Sequence, residues 1–240
     1  MDETRYKTRM RFTKTGAMRF VGHLDLMRFF QKAIRRAGLK VAYSKGYSPH
    51  QLMSFASPLG VGLTTDGDYI DVEFEPDSDE PEVLMGRLND ELSEDVFITG
   101  IERMGEGFKN SMSMLLSSAY MVTAKQTGAF PGNYKEEFEG FLDQKEIITV
   151  KKTKKSEKVI DLKPAISVYA FDKTEFEEKL GSPLPELHPV YEGESIFMKL
   201  PSESSNTVKP EQVMDAFFSY CGHKPEPWSY QVHRCEMWFK

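Results

Sequence analysis

A strict two-residue alternation opens the chain. Tyr6, Thr8, Met10 and Phe12 share one parity, and Arg5, Lys7, Arg9 and Arg11 share the other. Only extended backbone sends successive side chains to opposite faces. The pattern therefore predicts a half-buried strand over 4–14, apolar on one face and cationic on the other. Gly16 ends it. The period then changes. Leu26, Phe30, Ala33, Ile34 and Ala37 follow one helical face, with Arg28, Lys32, Arg35 and Arg36 opposite and Gly38 placed to cap the end. A helix is predicted over 21–38.

Alternation returns at 68–75, where Ile70, Val72 and Phe74 oppose Asp71, Glu73 and Glu75. Between these elements, residues 43–50 combine a short strand with a loop. A polar turn at Asp77, Ser78 and Asp79 leads into a helix from about Pro81 to Leu92, with proline in its first turn. Val96, Ile98 and Ile101 suggest a fourth strand. This order of elements predicts an α+β fold whose antiparallel sheet carries two helices, the ferredoxin-like βαββαβ unit.

The second half adds strands at 119–125, 196–200 and 228–239, helices near 133–143, 172–180 and 210–221, and a hairpin over 147–162 with a lysine-rich tip. Pro81-Glu82-Val83-Leu84-Met85 and Pro210-Glu211-Gln212-Val213-Met214 open comparable helices. That echo suggests two copies of one unit. The expected layout is a first ferredoxin-like domain over 1–106, a connector over 107–117 and a second over 118–240.

Charge is unevenly spread along the chain. Residues 1–50 hold 12 Lys and Arg against three acids, whereas the other 190 hold 19 against 34. The net −6 thus hides a basic segment on an acidic chain. Such a segment either binds an anion locally or packs against the chain's own carboxylates. On the strand, acids predicted directly across favour an internal ion-pair lattice. That lattice also explains Asp71, Glu73 and Glu75 better than a Mg²⁺ site does. On the helix, Asp25 is the one nearby acid, Lys40 and Lys45 continue the patch, and Gly46 with Tyr47 could bring backbone and ring close to a phosphate or base. Phosphate or RNA contact is expected at Arg28, Lys32, Arg35, Arg36, Lys40, Lys45, Tyr47 and His50.

His23, Asp25 and His50 are the weak catalytic candidates. Two imidazoles and a carboxylate could serve as acid and base in RNA cleavage or hold a metal. Residues i and i+2 do not share a helix face, however, so structural or substrate-positioning roles are favoured, with Asp25 as an N-terminal helix acid and His23 as a cap. Cys221 and Cys235 cannot build a disulfide framework or a four-cysteine site. With His223 and His233 they give no common zinc spacing. They also exclude a three-cysteine cluster for S-adenosylmethionine radical chemistry within the chain. No cofactor and no metal is expected. No apolar run is long enough to span a membrane, and no apolar signal core is visible, so a cytoplasmic protein is expected.

The run from Gly22-His23-Leu24-Asp25-Leu26-Met27-Arg28 through Ala33-Ile34-Arg35-Arg36-Ala37-Gly38-Leu39 and Ala42-Tyr43-Ser44-Lys45-Gly46-Tyr47-Ser48-Pro49-His50 carries a resemblance. So do Pro58-Leu59-Gly60, Asp68-Tyr69-Ile70-Asp71, Lys154-Lys155 and Asp161-Leu162-Lys163-Pro164. The chain resembles the radical SAM-associated (radical SAM-linked) family, a domain of unknown function, in its stand-alone form. Gly22 and Tyr47-Ser48 depart from that family's usual Ser and Phe-Asn. The resemblance implies a role beside a radical SAM enzyme, in RNA processing or modification. The expected function is an RNA-binding accessory protein that presents rRNA or tRNA to such an enzyme. The alternatives are a small metal-independent RNA endonuclease using His23 and His50, and a protein–protein adaptor for a radical SAM enzyme.

Overall fold

The computed structural model describes residues 5–76, 79–105, 107–152 and 157–240, with backbone alone at 151 and 152. The turn residues Asp77 and Ser78, and the Lys154-Lys155 part of the hairpin tip, lie outside the described residues. The fold is α+β. Two compact units divide the chain. The first holds residues 1–115 with 186–190 and 236–240, and the second holds 116–185 with 191–235.

In the first unit the elements are β1 (Tyr6–Lys14), α1 (His23–Arg36), β2 (Met53–Phe55), β3 (Thr64–Phe74), α2 (Pro81–Asn89) and β4 (Ile98–Arg103). β1 pairs antiparallel with both β3 and β4, and β2 pairs antiparallel with β3. The strand order is therefore β4-β1-β3-β2. The strand expected near 43 is replaced by isolated bridges at Val41 and Tyr43, and β2 begins ten residues later. A short helix, α3 (Ser111–Met114), stands in the stretch expected to be a plain connector.

The alternation of β1 decides what lies on each face of this sheet. Met10, Phe12, Ile70, Val72, Phe74 and Ile98 form one core with Leu26, Phe30, Ala33 and Ile34 of α1 and Leu84 and Leu88 of α2. Each such side chain removed from water contributes roughly 1.5–3 kcal/mol. Gly38, at φ +62°, ends α1 as expected. Upstream, Gly16 has φ +41°, and a Cβ there would fall 1.7 Å from Asp95 Oδ1. Asp95 accepts hydrogen bonds from the backbone N–H of Ala17 (2.8 Å) and Met18 (3.4 Å), which fixes the turn leading into α1.

The opposite face of the sheet is not open. Arg9 stands across from Asp71 in register, and the two pair at 3.2 Å. Asp71 also accepts from the Ser111 backbone N–H (2.6 Å) and the Ser111 hydroxyl (2.5 Å). The Arg9 guanidinium lies 4.8 Å from the Phe108 ring centroid and 4.2 Å from that of Phe239. Arg5 pairs with Glu75 at 3.0 Å and Arg11 with Glu236 at 3.3 Å. Glu236 also accepts from the Tyr69 hydroxyl at 2.7 Å, and burial followed by the Glu236 charge holds that phenol well above its ordinary range. Arg5 and Arg9 thus meet the acids that the cross-strand pattern implied, Arg11 finds Glu236 instead, and Lys7 is exposed.

The second unit contains β5 (Leu115–Ala124), which begins one residue before it, then α4 (Tyr134–Asp143), β6 (Ile148–Lys152), β7 (Glu157–Asp161) and β8 (Val168–Ala170). After these come α5 (Lys173–Leu180), β9 (Ser195–Glu203), β10 (Asn206–Thr207), α6 (Pro210–Cys221) and the start of β11 (Tyr230–Phe239). Its sheet runs β10-β9-β5-β11, with β8 also on β9, and β6 and β7 form a separate hairpin. The unit therefore carries more than the six elements of one βαββαβ repeat. Its core is aromatic. Phe138 meets Phe217 at 5.1 Å and Phe141 at 5.7 Å between ring centroids. No helix among the described residues is long and apolar enough to cross a membrane.

Asp71 is the first test of this account. Asp71→Ala strands a nearly buried guanidinium and removes the acceptor for Ser111, so unfolding in urea should show a loss of about 3 kcal/mol. A loss under about 0.5 kcal/mol would mean that the pair is not needed.

Candidate nucleic-acid interface

α1 owes its exposed cations to its own periodicity. With Leu26, Phe30, Ala33 and Ile34 buried, the residues between them must face away from the sheet. Arg28, Lys32, Arg35 and Arg36 are all exposed. Arg35 and Arg36 lie in the last turn, where the helix dipole favours positive charge.

Two of the four have carboxylate partners. Arg28 pairs with Asp25 at 2.9 Å, and both side chains are about two-thirds exposed. Arg36 pairs with Glu91 at 2.7 Å and also donates to the Glu91 backbone carbonyl at 2.6 Å. Glu91 is 55 residues away in sequence, and the helix pattern alone gives no sign of it. No ion pair involves Lys32, Arg35 or Lys45 among the described residues. Exposed ion pairs contribute only about 0–1 kcal/mol, so Arg28 and Arg36 can exchange their partners for phosphate at little cost.

The loop after α1 is built as a closed tip. Tyr43 bridges Gln51, the Ser44 N–H donates to the His50 carbonyl (2.8 Å), and the Leu52 N–H donates to the Ala42 carbonyl (2.8 Å). The Ser44 hydroxyl accepts from the His50 backbone N–H at 3.1 Å and is joined to His50 Nδ1 at 2.9 Å. Gly46 supplies φ +121° at the turn. Gln51, 5% exposed, donates from its side-chain amide to the Gln31 carbonyl of α1 at 3.3 Å. Loop and helix are thereby tied together. Lys45, Tyr47 and His50 are exposed at the tip, and the Tyr47 ring is fully solvated.

His23, Asp25 and His50 do not form one constellation. The His23 ring packs edge-on against Phe55 at 5.2 Å, Asp25 is engaged by Arg28, and His50 is engaged by Ser44. No hydrogen bond or ion pair joins the three among the described residues. Nor does any group of three or more His, Cys, Asp or Glu residues there suit a metal ion. In the second unit, His223 is hydrogen-bonded to the Gly128 carbonyl at 3.0 Å, and Cys235 is buried.

Residues 7–210 match the family described as an uncharacterized protein conserved in bacteria (DUF2344). The chain belongs to that family. No curated protein matches it. It is similar to a solved structure of an unknown protein from Galdieria sulphuraria at 10% identity and a TM-score of 0.28, covering 97% of this chain and 99% of that one. So low a score carries no argument about the fold. The DUF2344 match spans α1 and the loop that follows it, and by its description it assigns them no activity.

Two surface features escaped the sequence pattern. Phe20, Leu24 and Val61 are each more than half exposed. The Gly62 N–H donates to the Arg19 carbonyl at 2.7 Å, which brings Val61 alongside the turn that carries Phe20. Cys221 is the second. Burial, then the neighbouring Glu137, pushes its thiol up to about 11. The neutral form is favoured, so the thiolate is scarce until the pH approaches that value. At pH 8.5, where an ordinary thiol is about half ionised, iodoacetamide should alkylate Cys221 about a hundredfold more slowly than free cysteine. A rate within about threefold of free cysteine would remove this reading.

Proposed function

We propose that the chain is a non-catalytic RNA-binding accessory protein that holds structured RNA for a partner enzyme. The observation that carries this reading is the set of exposed cations with no ion-pair partner among the described residues, Lys32 and Arg35 on α1 and Lys45 on the adjoining loop, with the solvated ring of Tyr47 two residues on from Lys45. Cations spaced along a helix can follow a phosphate backbone, and an exposed ring can stack on an unpaired base. Arg28 and Arg36 add contacts when their carboxylates are displaced. Lys40 and His50 border the same surface. The sequence resemblance suggests a radical SAM enzyme as the partner, in rRNA or tRNA modification, and a cytoplasmic setting.

His23 packs on Phe55, Asp25 is paired with Arg28 and His50 is joined to Ser44, so acid–base cleavage finds no support in a carboxylate that orients either imidazole. The adaptor reading keeps one specific support, the exposed apolar group of Phe20, Leu24 and Val61 at the N-terminal end of the same helix. On either reading, α1 is the surface that meets the partner.

Filter retention of a structured RNA against salt tests the RNA reading. Three phosphate contacts on single-stranded segments predict a slope of about −2 in log affinity against log salt. Lys32→Ala/Arg35→Ala should reduce that slope to about −0.7 and weaken retention at all salt concentrations. Equal retention by wild type and variant would sink the proposal. Phe20→Ser/Leu24→Ser separates the adaptor reading. RNA retention should stay within about twofold, because neither side chain carries charge. If instead this variant loses a copurifying protein that survives ribonuclease treatment, while the double cation variant keeps it, the adaptor reading replaces the first.

A further inference from the structure

A second candidate site lies wholly within the second unit. It is a groove of about 490 Å³. On one side stands the end of β7 with the turn that follows it, and on the other the β9–β10 hairpin. Both walls are fixed by backbone hydrogen bonds. The Leu162 N–H donates to the Ile147 carbonyl at 2.8 Å, and the Val208 N–H donates to the Pro201 carbonyl at 3.1 Å.

The lining has a consistent chemistry. Ile160, Pro201 and the buried Val208 give an apolar surface. Ser117, Ser167 and Thr207 bring hydroxyl groups, and Lys158 and Lys199 bring two ammonium groups. Lys158 is exposed and has no ion-pair partner among the described residues. The single carboxylate, Asp161, is turned to structural use. Its Oδ1 accepts from the backbone N–H of Ile147 (2.8 Å) and of Lys163 (3.0 Å). The groove is therefore formally cationic, and its Ser167 and Thr207 hydroxyls, which donate to the Lys199 and Glu203 carbonyls, keep their oxygens as acceptors.

We propose that this groove binds a single nucleotide, a nucleoside monophosphate or the terminal nucleotide of a strand. Lysine ammonium groups bind phosphate as point charges. The hydroxyls match ribose oxygens, and the apolar wall covers one face of a base. The volume lies within the range of small-ligand pockets, which combine apolar lining with a few placed polar groups. This site is independent of the RNA strip on α1, since no residue is shared.

Calorimetric titration of the full chain with adenosine 5′-monophosphate, adenosine and inorganic phosphate provides the test. The monophosphate should saturate one site per chain, and each fragment alone should bind about tenfold or more weakly. Lys158→Glu should weaken the monophosphate by at least about tenfold, because it replaces an attractive charge with a repulsive one. Ala165→Phe, which fills the groove, should abolish binding while thermal melting confirms the fold. Lys32→Ala/Arg35→Ala should leave the affinity unchanged. Failure of the monophosphate to bind at about millimolar concentration, phosphate alone binding as tightly, or an unchanged affinity in Lys158→Glu would each overturn the proposal. So would loss of binding in the helix variant, which would place the nucleotide on α1 instead. The RNA retention experiment stands apart from all of these outcomes.

Discussion

The contact between Arg9 and Asp71 sets the register from which the rest of the first unit follows. Taking two charges out of water costs several kcal/mol per ion, so such a pair persists only where further donors and acceptors complete it. Here Ser111 donates twice to the carboxylate, and two aromatic rings flank the guanidinium. A slip of one residue between β1 and β3 would break these contacts. It would also turn Met10 and Phe12 away from α1 and drive arginines into the apolar core. With the register fixed, the apolar stripe of α1 has one place to go, and its cations must point outward.

The same constraint separates two basic clusters that look alike in the sequence. Arg5 and Arg9 meet the acids Glu75 and Asp71 of the neighbouring strand segment, whereas Arg11 stands across from Tyr69 and pairs with Glu236 of β11, so the charge of all three is met within the unit. Lys32 and Arg35 lie on a helix whose neighbours on that face supply few acids. A period of two forces opposite charges into contact across a ladder, whereas a helix face has no obligatory partner. Local geometry, more than the number of cations, therefore decides which cluster is available to an outside anion.

Much of this was legible in the sequence. The alternation of β1 and β3, the limits of α1 and the proline starts of α2 and α6 all arise from local spacing, and the structure follows them. The cross-strand ion pairs were readable too, because two period-two patterns of opposite charge have one natural alignment. What escaped notice depends on residues distant in sequence. Glu91 reaches Arg36 across 55 positions, Phe55 receives His23, and Gln51 binds the carbonyl of Gln31. None of these contacts has a periodic signature. The covering of the outer sheet face was hidden for the same reason, since Phe108 comes from the middle of the chain and Phe239 from its last two residues. The short strands β8 and β10, three and two residues long, are too brief to show a period.

A chain of net charge −6 that offers a cationic surface must attract and repel a polyanion at once. At about 0.1 M salt the screening length is roughly 10 Å, so a phosphate docked on α1 senses Lys32, Arg35 and Lys45 far more than distant carboxylates. Lower salt strengthens the local attraction and also lets the acidic remainder act at longer range. Nonspecific adhesion, which depends on charge over a wide surface, is therefore opposed by the same sequence that permits contact at one place. The Gln51 link sharpens this selectivity. It ties the loop to the helix through the Gln31 carbonyl, so on the proposed reading less conformational entropy would be lost on binding a phosphate backbone.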